Sequence, residues 1–295
     1  MDKVNLEKGG VHLRIHNIIT DFLDMYESKK DLRILDLETY IDENAEVFDH
    51  YFPIHCPKTP ERLQEAIEKY PMKIKDIYIM SERLPRIIKE IDEVYTEIFH
   101  NDLDINYTML VGTYGSNAFV TREIKGDIYF AVEKLSSEID HLKAITAHEI
   151  GHVTHFSFAA RQGMDWTTVD WTHGLTTLYT EGAATYLSKK VVPGLNESVY
   201  FTYDKDGDSW VTCYQENKTE VKRRFFEDVL SGWNTEKEKE WFRLSGGGYF
   251  GHNRLGYLLG TDYVEHLVNV IGEEAALAFW SGNDVKKDIL TWLEK

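Results

Sequence analysis

Cysteine is nearly absent from this 295-residue chain: only Cys56 and Cys213 occur, and neither lies in a Cys-x-x-Cys clip. That excludes a disulfide framework and leaves any metal to histidine and carboxylate. Proline is scarce as well. Three of the six prolines, Pro53, Pro57 and Pro60, crowd into one short stretch, so residues 52–60 must be irregular. Basic residues are outnumbered, 33 Lys and Arg against 50 Asp and Glu, for a formal net charge of −17. Phosphate backbones and anionic lipid would be repelled at long range, so neither nucleic acid nor a membrane surface is an expected partner. Long hydrophobic runs are missing too. No stretch reaches membrane-spanning length, and residues 1–8 have no apolar signal core, which makes a cytoplasmic location the expectation. The 42% hydrophobic and 13% aromatic content is that of a soluble globular protein with a substantial core.

Along the chain, Leu13, Ile15, Ile18, Ile19, Phe22, Leu23 and Met25 recur at helical spacing and predict a helix over 11–26. Another is expected over 35–48. Thr59 is placed to cap a helix that starts at Pro60. His55 and Cys56, flanked by prolines, read as structural. Leu84, Ile87, Ile88, Ile91, Val94, Tyr95 and Ile98 form the buried stripe of an amphipathic helix over 81–99. The first 100 residues therefore read as a helical N-terminal region. The character changes at Ile105. Residues 107–112, 118–121 and 128–132 read as strands, with turn chemistry at Gly115-Ser116-Asn117 and Gly126-Asp127. A small mixed sheet within 105–133, followed by helices, predicts an α+β fold that is mainly helical.

The stretch that carries chemistry is His148-Glu149-Ile150-Gly151-His152. Two histidines four apart on a helix face the same way and can grip one zinc ion. The glutamate between them would sit beside the water that the metal activates and can take its proton. On a helix over 137–158, with His148 at zero degrees and about 100 degrees per residue, His152 falls near 40, Glu149 near 100 and His155 near −20. Ile139, Leu142, Ile150 and Val153 fall on the other side. Catalytic zinc needs a third protein ligand. His155 is one candidate. The metzincin pattern is rejected, because it wants glycine at 155 and histidine at 158, where this chain has His155 and Phe158. Glu181 is the better candidate. It lies on an expected helix over 177–190, in Glu181-Gly182-Ala183-Ala184-Thr185-Tyr186, where small neighbours would let that helix approach the HExxH helix closely.

This pairing of HExxH with a downstream Glu-Gly-Ala-Ala-Thr-Tyr resembles the gluzincin metallopeptidases. More narrowly, residues 105–280 resemble the bacterial predicted zinc-dependent protease families of that class. The resemblance implies one Zn2+ held by His148, His152 and Glu181, with Glu149 as catalytic base, in a zincin-like catalytic domain spanning 101–295. It also implies that a strand of the upstream sheet borders the cleft and binds a peptide or protein substrate in extended form, through 113–120 or 127–132. In the resembling families a Tyr-x-x-Gly helix follows the metal motifs, and Tyr257-Leu258-Leu259-Gly260 fits it. The tyrosine would brace the oxyanion of the tetrahedral intermediate. His252 is its first rival, with Tyr249 and His173 behind. Gly256 and Gly260 are expected to permit close helix packing.

Within the insertion over 162–173, Asp170 is a candidate to orient a ligand histidine, and the tryptophans are candidates to anchor a packed loop. Residues 203–209 read as an acidic turn, since the EF-hand pattern fails at Ser209 and Gln215. Helices follow over 215–230 and beyond, with a sharp break at Gly246-Gly247-Gly248. The expected activity is peptide-bond hydrolysis, endo- or aminopeptidase left open. The alternative is a zinc-stabilised regulatory or partner-binding protein on the same fold without turnover.

Overall fold

Val11, Leu13 and Ile15 alternate with His12, Arg14 and His16, a period of two rather than 3.6, and this segment is extended. In the computed structural model, which describes residues 3–8, 11–100, 103–121, 126–203 and 207–295, strand β1 (Lys3–Lys8) pairs antiparallel with β2 (Val11–Asn17). The expected helix over 11–26 thus begins only at Ile19, as α1 (Ile19–Ser28), which buries Ile19, Phe22 and Leu23. The helix expected over 35–48 is two, α2 (Ile34–Glu43) and α3 (Ala45–Tyr51), separated at Asn44 by φ −117° and ψ 34°.

α4 (Pro60–Phe99) is one helix of 40 residues. Thr59 caps it, its hydroxyl accepting from the Arg62 amide at 3.3 Å, and Pro60 stands in the first turn, where its missing N–H costs nothing. Pro71 and Pro85 lie inside without ending it. Leu84, Ile87, Ile88, Ile91 and Tyr95 are buried as their spacing predicts. Ile98 is not, because the last turn of α4 runs out into solvent.

β3 (Asn106–Leu110), β4 (Ala118–Val120) and β5 (Ile128–Ala131) complete a five-stranded mixed sheet in the order β1-β2-β3-β5-β4. β3 is parallel to β2 and to β5, and β4 lies antiparallel to β5 on the outer edge. α4 packs against β2 and against the 3-10 turn Val132–Lys134 after β5. The fold is α+β and mainly helical, as expected. The boundary expected at residue 100 is not where the chain divides. β2 hydrogen-bonds to β3, which ties the first 100 residues into the sheet, and the compact units are Met1–Glu149 and Ile150–Lys295.

The division falls within α5 (Ile139–Arg161), which is continuous across it. The second unit continues with α6 (Gly174–Val191), α7 (Val199–Thr202), α8 (Asp208–Leu230), α9 (Thr235–Phe242), α10 (Leu255–Ile271), α11 (Glu273–Leu277) and α12 (Val285–Glu294). Residues 204–206 of the expected acidic turn lie outside the described residues; Tyr203 before them is left-handed. Gly247 turns the break between α9 and α10 at φ 91°.

The core of this unit is α6 packed along α10. The two helices meet backbone to backbone: a Cβ on Gly182 would overlap the Gly260 carbonyl group, and one on Gly260 would overlap the Leu178 carbonyl oxygen. The glycine beside Glu181 therefore serves the approach of α10, not the expected approach of the HExxH helix. Gly256 lies against the Phe242 ring. No helix among the described residues is long and apolar enough to cross a membrane.

Candidate metal centre

The expected split of α5 into a polar front and an apolar back is a split of chemistry, not of solvent exposure. Leu142, Ile145, Ile150 and Val153 are buried, but so are His148 at 2% and Glu149 at 7% exposure. Ile139, counted with the apolar back, is exposed because it begins the helix at the surface. The second ligand position, His152, comes one turn after His148. Glu181 is carried by α6, whose first turn is capped by His173: its Nδ1 accepts from the Leu175 amide at 3.1 Å.

His148, His152 and Glu181 each bring one ligand atom to within 4.8 Å of the other two, and His152 Nε2 lies 3.5 Å from Glu181 Oε2. Zinc–nitrogen and zinc–oxygen bonds of about 2.0–2.1 Å in a tetrahedron set neighbouring donors about 3.4 Å apart. The observed spacing needs only small side-chain adjustments to reach that. Two imidazoles and a carboxylate are also a donor set suited to zinc. This group of three can hold a metal ion.

His155 lies outside this group of three. Its ring is fully buried against Tyr179 at 4.7 Å and Trp280 at 5.0 Å, and burial pulls its pKa down to about 3, with His152 adding to the effect. Asp170 does not orient a histidine. It is exposed, accepts from the Thr172 amide at 3.2 Å and pairs with Lys286 at 3.2 Å. The insertion is a packed loop. Ring centroids of Phe156, Trp166, Trp171 and Trp280 are 5.6–6.1 Å apart in all six pairings, a closed knot rather than a cage.

Of the four oxyanion candidates, Tyr257 is the one on which the negative charge of a metal-group residue, Glu181, acts. It is buried on the first turn of α10, and its phenol pKa is pushed up by burial first and by the negative charge of Glu181 second. Tyr249 is exposed, with its hydroxyl 3.3 Å from Asp228. His173 is occupied as the cap of α6. His252 stands in the loop before α10 with its backbone close to Gly247, and among the described residues it has no hydrogen bond or ion pair to the metal group. Sequence reasoning missed Arg254, a buried arginine whose guanidinium lies 4.2 Å from the Tyr257 ring centre. It also missed Glu238 on α9, whose pKa is raised by burial and, among charges, by Glu181. Neither belongs to a motif that spacing could reveal.

In the first unit, the loop between β3 and β4 is clamped by side chains. The amides of Val111, Gly112, Thr113, Tyr114 and Gly115 donate in turn to Tyr40, Glu133, Tyr51, Glu133 and Tyr51, at 2.7–3.2 Å. Tyr70 on α4 donates to the Gly112 carbonyl at 2.7 Å. The N-terminal helices thus hold the segment that leads into the edge strand β4. Cys56 packs there, its Sγ 3.4 Å from the Thr113 hydroxyl, and His55 stacks on Phe119 at 3.9 Å, so both are structural. Of the two segments expected to accept an extended substrate, 127–132 is ruled out as an open edge, because β5 is paired on both sides. β4, within 113–120, is paired on one side only among the described residues. The chain matches no family model, no curated protein and no solved structure.

Proposed function

We propose that this protein is a zinc-dependent peptidase of gluzincin type. The observation that carries the reading is the convergence of His148, His152 and Glu181 on one point, with Glu149 next to His148 on the same helix. Zinc held there would supply Lewis acidity, polarising a scissile carbonyl and making water acidic near neutral pH. The protein's own residues do the rest. Glu149 takes a proton from the attacking water and then hands it to the leaving amine. A pure metal-binding protein has no use for that base. Tyr257 donates its hydroxyl to the oxyanion as the carbonyl carbon becomes tetrahedral. The free edge of β4 offers backbone donors and acceptors to an extended peptide. His252 is left out of this scheme.

Digestion of a peptide library by the zinc-loaded protein, with and without a chelator, tests the proposal. Cleavage that stops with chelator and returns with zinc is expected. Zinc binding with no cleavage of any peptide would instead identify a zinc-stabilised binding protein.

A further inference from the structure

Arg254 is in an unfavourable place three times over. Its backbone is left-handed, φ 57° and ψ 24°, a region disfavoured for any residue with a Cβ. It stands at the N-cap of α10, a helix of 17 residues, where the helix dipole repels a cation. Its side chain is buried, and among the described residues no carboxylate lies within ion-pair distance of it. What touches the guanidinium is aromatic, the Tyr257 ring centre at 4.2 Å and the Tyr203 ring centre at 5.2 Å, while the negative charge of Glu181 acts on it from beyond ion-pair distance. Cation–π contact offsets only part of such costs. The same residue also fixes Tyr257 through the backbone, since the Tyr257 amide donates to the Arg254 carbonyl at 3.1 Å. Arg254 therefore touches Tyr257 twice, at its amide through the backbone and at its ring through the guanidinium. A cation held on the face of that ring restrains it and strengthens its hydroxyl as a hydrogen-bond donor.

We infer that Arg254 is a positioning residue that fixes and polarises the Tyr257 phenol as the oxyanion donor of this site. The inference rests on the peptidase reading. Its test is a double-mutant cycle on the zinc-loaded protein, using the peptide that the wild type cuts best in the library. Arg254→Met is expected to lower kcat about tenfold or more with KM changed less than about twofold, since the hydroxyl is needed only once the oxyanion forms. Tyr257→Phe should lower kcat at least as far, and the double variant should be no slower than Tyr257→Phe alone. Arg254→Lys, which keeps the charge without the planar stack, should fall between wild type and Arg254→Met.

Zinc content and circular dichroism of each variant separate loss of fold from loss of function. If Met at 254 does not fold, the cycle is run with Arg254→Lys and the same non-additivity is required. Wild-type kcat in Arg254→Met, or losses that multiply in the double variant, would overturn the role of Arg254. A wild-type protein that cuts no peptide would instead overturn the peptidase reading itself.

Discussion

Replacing Glu133 with glutamine should remove a steep pH dependence of stability. The Glu133 carboxyl is wholly buried, and its two oxygens accept from the Gly112 and Tyr114 amides at 2.8 and 2.9 Å. Burial raises its pKa from 4.5 to about 7, against the opposing pull of those amides and of Lys134. The phenols of Tyr40, Tyr51, Tyr70 and Tyr114 all lie within its field. Below pH 4.5 the group is protonated in the folded and the unfolded chain alike. Between 4.5 and about 7 the unfolded chain has lost the proton and the folded chain still holds it, so stability falls as pH rises. Above that window both forms are ionised and the dependence ends. A shift of this size amounts to about 3 kcal/mol in full, and about 2 kcal/mol of it falls between pH 5 and 7.5. Urea unfolding of wild type and Glu133→Gln at those two pH values isolates the term, because every other titrating group is shared. The wild type should lose about 2 kcal/mol more than the variant over the interval. Parallel losses in the two proteins would show that Glu133 ionises normally, and the account of the clamp would be wrong.

The remaining expectations concern the second unit and the metal group. Glu181→Ala should lose zinc by elemental analysis after dialysis, and undiminished zinc would remove Glu181 from the ligand set. Gly260→Ala forces a methyl group into the Leu178 carbonyl, so thermal or urea unfolding should show a loss of about 3 kcal/mol; a change below about 1 kcal/mol would mean that α6 and α10 are not in backbone contact. His155→Leu should keep its zinc. Because burial lowers the His155 pKa from 6.5 to about 3, the wild type loses stability as pH falls through that window, and the leucine variant should lose less; equal acid sensitivity would count against a buried neutral ring.

What could be read from the residues alone was the geometry that depends on local spacing. His148, Glu149 and His152 are four consecutive helical steps apart at most, so one turn of α5 sets their geometry, and Glu181 could be singled out by the small residues around it. Thr59 and Pro60 announced the start of α4 for equally local reasons. β2 carries the signal of a strand, yet it differs from the helix that its spacing predicts. The alternation from Val11 to His16 runs straight into Ile18, Ile19 and Phe22, and the combined set satisfies a helical period when taken in one window. β1 alternates as well, with Val4 and Leu6 between Lys3, Asn5 and Glu7, but two apolar residues make too short a pattern to read alone, and the strand is defined by its pairing with β2. Arg254 and Glu133 were invisible for a different reason. A charged residue in a sequence reads as surface by default, and only the surrounding rings and amides reveal it as buried. Gly182 could be recognised as a close-approach residue, but its partner could not be chosen between helices without the fold.

The central claim is that His148, His152 and Glu181 hold zinc so that Glu149 can act as base. The most direct measurement is zinc content and peptide cleavage on one preparation of Glu149→Gln, beside the wild type. The account predicts about one zinc per chain in both proteins, with turnover reduced by about 10²-fold or more in the variant. Wild-type turnover by Glu149→Gln, or a wild-type protein that cleaves peptides with no zinc bound, would contradict it.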